Sequence, residues 1–124
     1  RSVWVRLRDD EGVEGWGEAA ATPFYGETAE TVVALLPRLA PVLSEAAAGD
    51  PFAIERIERA LEHAIGRNPA TRAAISAALH DLVGKRLGIP VWRLWGLDPS
   101  TTPLSSFTLG IDEPSCARRP TIRS

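Results

Sequence analysis

The sequence predicts an α+β domain in which an antiparallel β-hairpin is followed by a bundle of three helices. Three observations carry that prediction. Val3, Val5 and Leu7 alternate with Trp4, Arg6 and Arg8, the period of two that marks a half-buried strand. Further along, apolar residues recur at helical spacing in three segments that proline and glycine separate. The chain has 124 residues, of which 44% are hydrophobic and 24% charged, enough for one globular domain with a modest core.

Asp9-Asp10-Glu11-Gly12 reads as the turn of the hairpin, and Val13 to Ala19 returns as its second strand. Gly15 and Gly17 lie two apart in that strand, so both point to one face, where glycine implies a bulge or a close backbone approach. Ala20 to Glu27 holds Pro23 and Gly26 around Phe24 and Tyr25 and is expected to be a loop. Thr28 can cap the first helix, with Glu30 near its positive end. Val32, Leu35, Leu36 and Leu39 supply the apolar face, and Pro37 is expected to kink or shorten the helix. Asp50-Pro51 reads as a cap followed by proline at the first position of the second helix, whose stripe is Ile54, Ile57, Leu61 and Ile65 before Gly66. Asn68-Pro69 breaks the chain ahead of an alanine-rich third helix from Ala70 to Leu87, stopped by Gly88 and Pro90. Pro90 to Leu97 reads as one short helical turn and Leu104 to Ile111 as a strand. After Asp112 periodicity ends.

A formal net charge of -2 provides no broad attraction for nucleic acid or an anionic membrane, so neither is expected as a partner. No apolar run is long enough to span a bilayer. Cys116 is the single cysteine and cannot form an internal disulfide, which makes a reducing cytoplasm the expected location. The sequence opens with Arg1 inside a strand pattern, and we expect an opening strand to precede it.

Taken residue by residue, the side chains do not assemble a catalytic set. His63 and His80 fall on different helices, and neither has a second histidine or a carboxylate at the spacing of a helical metal pair. Asp81 and Lys85 have the i, i+4 spacing of an ordinary helical ion pair. Nothing near Cys116 would lower its pKa, and Thr108 on spacing alone is a good strand former. The loop with Phe24 and Tyr25 is either a surface turn with packed aromatics or the border of a binding site.

Gly15-Trp-Gly-Glu-Ala19 together with Ala70 to Gly96 resembles the amino-terminal capping domain of the enolase superfamily, in its muconate-lactonizing and mandelate racemase branch. Ser106-Phe-Thr-Leu-Gly-Ile-Asp112 is similar to the first barrel strand of the dipeptide epimerases in that branch. The resemblance implies a cap over residues 1–100, the first strand of a truncated (β/α)8 barrel over 101–112, and a tail over 113–124. Within the tail, Arg118-Arg119-Pro120 departs from the family and suggests a shifted reading frame or an artificial end. Trp92 and Trp95 are expected at the junction of cap and barrel. By the same resemblance Thr108 and Tyr25 would contact substrate, a small dipeptide such as alanyl-glutamate, and the parent enzyme would be a homo-oligomer. In such enzymes magnesium stabilises an enediolate while two lysines exchange the proton alpha to a carboxylate. The lysines and magnesium ligands lie on later barrel strands, so no catalytic or metal residue is assigned here, no bound metal is expected for these residues, and no turnover is expected from this chain alone. The alternatives are a muconate cycloisomerase or o-succinylbenzoate synthase relative, a non-catalytic binding module, and a gene remnant.

Overall fold

A computed structural model describes residues 1–105. Strand β1 (Val3–Arg8) pairs antiparallel with β2 (Glu14–Ala19) in an unbroken register that sets Val3 against Ala19, Val5 against Gly17 and Leu7 against Gly15. The other face carries Trp4, Arg6 and Arg8 opposite Glu18, Trp16 and Glu14. The alternation read from the sequence thus sorts small and apolar residues to one face and aromatic and charged residues to the other. Asp9 closes the turn, its Oδ1 accepting from the amides of Glu11 at 3.0 Å and Val13 at 2.8 Å.

Helix α3 (Pro69–Leu87) lies directly on the inner face of the hairpin. The register contains no bulge, and close approach accounts for the two glycines. A Cβ built on Gly15 would stand 2.0 Å from the carbonyl oxygen of Ala78, and one on Gly17 the same 2.0 Å from that of Ala74. Glycine on the strand and alanine on the helix let the two backbones touch. Ala74, Ile75, Ala78, Leu79, Leu82 and Val83 are all buried there, and Val5 and Ala19 join them from the sheet.

Helix α1 (Ala29–Ala47) begins as the sequence implies. The Thr28 side chain accepts from the Thr31 amide at 3.3 Å, and the Thr31 hydroxyl accepts from the Thr28 amide at 2.9 Å. Its own backbone amide and the Thr28 hydroxyl hold the Glu30 carboxyl below the usual glutamate range. Thr28→Ala should destabilise the fold by about 1 kcal/mol, the usual effect of losing such a cap, read from a urea melt. Pro37 does not shorten this helix, which continues through Pro41 to Ala47. Both prolines are exposed, so the carbonyls they leave without an intrahelical donor face water, while Val32 and Leu39 hold the opposite side in the core.

The start of helix α2 (Ile54–Ala64) differs from expectation. Asp50 does not cap it. Its carboxylate accepts from the Phe52 amide at 2.9 Å, and the Ala53 amide turns back to the Asp50 carbonyl, so Pro51 sits in a turn ahead of the helix. An aspartate that can bond its own backbone two residues on favours such a turn. Arg56 then satisfies the end of α1, donating to the carbonyls of Ala46 at 2.7 Å and Ala47 at 3.0 Å. Ile57 and Leu61 are buried, whereas Ile65 falls just past the helix in extended conformation.

Gly88 ends α3 in the left-handed conformation at φ 66°, and helix α4 (Val91–Leu94) supplies the short turn expected after Pro90. A 3-10 turn spans Pro99–Thr101, and 102–105 carry no regular element. The strand expected from Leu104 lies, from residue 106 onward, outside the described residues. Among the described residues no helix is long and apolar enough to cross a membrane.

Candidate functional site

The segment after β2 is a built loop rather than a slack connection. Ala19 is fully buried at its start. The amides of Tyr25 and Gly26 then donate to the carbonyls of Thr22 at 3.0 Å and Pro23 at 2.9 Å, forming a 3-10 turn over Pro23–Tyr25. Gly26 closes it at φ 83°, a conformation that favours glycine. Glu27 anchors the far end. It is 2% exposed, and its carboxylate accepts three hydrogen bonds, from the Ala70 amide at 2.7 Å, the Thr71 amide at 3.1 Å and the Thr71 hydroxyl at 3.0 Å.

That anchor solves a problem at the start of α3. The preceding Asn68 has φ 52°, and its side chain makes no cap hydrogen bond to the helix. Glu27 supplies the missing acceptor from more than forty residues away, at the helix end whose dipole favours a carboxylate.

Between these fixed ends the loop holds Phe24 and Tyr25 outward. They remain 86% and 73% exposed, stacked edge to face with ring centroids 4.9 Å apart. Two large rings on a hydrogen-bonded turn form a prepared apolar surface, with the Tyr25 hydroxyl as its polar group. Tyr25 is thereby held at the surface of the described residues. Thr108 lies outside the described residues, as do Asp112 and Cys116.

The other sequence candidates have structural roles. The Nδ1 of His63 lies 2.7 Å from the Arg59 carbonyl and that of His80 2.9 Å from the Ser76 carbonyl. His80 also meets the edge of Trp95 at 5.2 Å. Asp81 does pair with Lys85, at 2.6 Å, but each also reaches the sheet: Asp81 accepts from the Trp16 amide at 2.8 Å and Lys85 donates to the Glu14 carbonyl at 2.9 Å. The pair thereby closes the outer edge of β2, a role that spacing within one helix does not reveal.

At the turn end of the hairpin, away from the aromatic loop, a cavity of about 210 Å³ is floored by Leu43, Leu79 and Leu82. Arg86 spans its rim, ion-paired to Glu11 and, at 3.5 Å, to Asp9. The hydrogen bond with Glu11 raises the guanidinium above its already high pKa. Among the described residues no three His, Cys, Asp or Glu side chains are grouped to hold a metal ion.

Residues 1–96 match the family described as mandelate racemase / muconate lactonizing enzyme, N-terminal domain. The chain belongs to that family. It is a member of the enolase superfamily through its amino-terminal domain. Over 111 residues it is 41% identical to the L-Ala-D/L-Glu epimerase of Bacteroides thetaiotaomicron, an alignment that covers 90% of this chain and 28% of the relative. A hydrophobic dipeptide epimerase of Enterococcus faecalis is 33% identical over 115 residues, covering 92% of this chain and 31% of the relative. The crystal structure of 2-chloromuconate cycloisomerase from Rhodococcus opacus superposes with a TM-score of 0.70 at 36% identity, covering 77% of this chain and 27% of that one. The chain thus spans less than a third of the length of these relatives. In this amino-terminal domain the glycine pair under α3 and the aromatic loop are both products of one short segment, Gly15 to Glu27.

Proposed function

We propose that this chain forms the substrate-capping part of a dipeptide epimerase, with Tyr25 bordering the substrate and Thr108 contacting it from the first barrel strand. The observation that carries the reading is the 41% identity to an L-Ala-D/L-Glu epimerase along 90% of the chain, aromatic loop included. In this reading, residues 1–100 are the cap, 101–112 open a barrel, and the bases and magnesium ligands belong to that barrel. The location is the cytoplasm, in keeping with a lone cysteine.

What the described residues contribute is an apolar lid. Phe24 and Tyr25 would cover the side chains of a small dipeptide and keep water from the carbon that loses its proton. They supply no acid or base of their own. The purified chain should therefore show no exchange of the alpha proton of L-Ala-L-Glu for deuterium by NMR with magnesium present, and measurable exchange would refute this division of labour. Transplanting residues 1–96 into the Bacteroides relative tests the lid itself. Tyr25→Ala in that hybrid should raise KM for L-Ala-L-Glu about tenfold, the equivalent of one aromatic contact. An unchanged KM would remove Tyr25 from the site.

A muconate cycloisomerase parent is the second reading, favoured by the superposition at TM-score 0.70. The hybrid separates the two, because a cap suited to a chloromuconate would not support dipeptide turnover.

A further inference from the structure

The outer face of the hairpin combines exposed tryptophans with charges arranged in two columns. Trp4, Arg6 and Arg8 run along β1, and Glu18, Trp16 and Glu14 stand opposite them on β2. Trp4 is 65% exposed and Trp16 42%, and the Arg6 guanidinium lies 5.7 Å from the centroid of the Trp16 ring. Arg6 also pairs with Glu14 at 3.3 Å, but Arg8 and Glu18 have no ion-pair partner among the described residues. Tryptophan and arginine are the residues that most often anchor protein interfaces.

We propose that this face associates with a second copy of the chain about a two-fold axis parallel to the strands. The choice of partner and axis follows from the two columns. Rotation about that axis lays β1 of one copy over β2 of the other at the usual spacing of packed sheets, about 10 Å. Arg8 then meets Glu14 of the other copy, Arg6 meets its Trp16, and the Trp4 indole N–H reaches its Glu18. Each contact occurs twice, as a two-fold interface requires. An in-plane axis perpendicular to the strands would instead stack Arg6 on Arg6 and bring Glu14 over Glu18. Charge therefore selects one arrangement and rejects the other.

Six side chains per copy make a small interface, well under the roughly 1,000 Å² of a stable complex, so the dimer is weak and salt-sensitive. The inference does not depend on the epimerase reading.

Analytical ultracentrifugation of the full chain over a concentration series tests it. The unmodified chain should form a reversible dimer at low salt. Arg8→Glu and Glu14→Arg should each weaken self-association about a hundredfold, roughly tenfold at each of the two symmetric contacts. Mixed in equal amounts, the two variants should recover a dimer. The carboxylates at both positions of the first variant would then face the guanidinium groups at both positions of the second, so each contact regains opposite charges. Circular dichroism melts establish that both variants are folded. A monomeric mixture overturns the proposal, as does a wild-type chain that never dimerises. Self-association equal in all samples would also overturn it, assigning contact to the exposed Trp92, Trp95 and Leu97 instead.

Discussion

Gly17→Ala should lower the melting temperature of this domain by about 10 to 25 °C. The methyl group would begin 2.0 Å from the Ala74 carbonyl oxygen, with the Ala78 amide nitrogen at 2.8 Å. Both obstacles are backbone atoms of α3, so no side-chain rotation can clear them. Either the helix lifts from the sheet or β2 moves away, and each opens gaps along the Val5, Ile75 and Leu79 layer. Overpacking a core commonly costs about 1 to 3 kcal/mol, and a rigid obstacle belongs at the upper end of that range or above it. For a domain of this size each kcal/mol shifts the midpoint by roughly 4 to 8 °C. Gly66→Ala is the control, since a Cβ there meets nothing within 4 Å. It should melt within a few degrees of the parent. A Gly17→Ala protein that melts like the Gly66 variant would show that α3 does not need the close approach.

The same pair of glycines shows what the sequence could reveal. Glycine twice at that spacing in a strand implied either a bulge or a close backbone approach, and the register, which sets Gly15 and Gly17 against Leu7 and Val5, decides for the second. The alanine-rich run from Ala70 to Leu87 was legible for the same reason, because small residues on a helix need something close to fill the space. Local signals also identified the Thr28 cap and the Gly88 stop. They misled where tertiary context chooses among local options. Pro37 is a breaker by propensity, yet on the exposed face of α1 its cost falls on a carbonyl that water can satisfy. Asp50-Pro51 is a plausible helix start, but the same carboxylate can close a turn with Phe52, and the chain takes that route.

Other features could not be read locally at all. Asp81 and Lys85 form the expected pair on one helix, but their bonds to Trp16 and Glu14 join residues more than sixty positions apart. Glu27 follows a glycine at the end of a loop, where a glutamate is ordinarily solvated. Asn68 is by type a favoured cap for the helix that Pro69 opens, and only the fold shows that its side chain bonds the Gly66 carbonyl instead and leaves the first amides of α3 to Glu27.

Glu27→Ala should cost about 2 to 4 kcal/mol and loosen the aromatic loop at the same time. The substitution leaves the amides of Ala70 and Thr71 and the Thr71 hydroxyl facing a small void, and Thr71 is itself fully buried. Each unsatisfied buried donor is expensive, and hydrogen bonds to a carboxylate are among the stronger ones. Glu27→Gln should lie between the parent and the alanine variant. Its carbonyl oxygen can still accept, but the amide nitrogen in place of the second oxygen would confront a backbone N–H. Urea melts give the stability order, and chymotrypsin gives the local consequence. Phe24 and Tyr25 are already exposed, so cleavage beside them is limited by how readily residues 20–27 can leave their hydrogen-bonded turn. Cleavage there should accelerate about tenfold or more in Glu27→Ala under conditions where circular dichroism still reports a folded helix bundle. If stability falls while loop cleavage keeps the parent's rate, Glu27 is a cap for α3 alone. If both change together, one buried carboxylate fixes the start of α3 and holds the two exposed rings on their turn, so a substitution in the buried interior would alter the presentation of that surface without touching it.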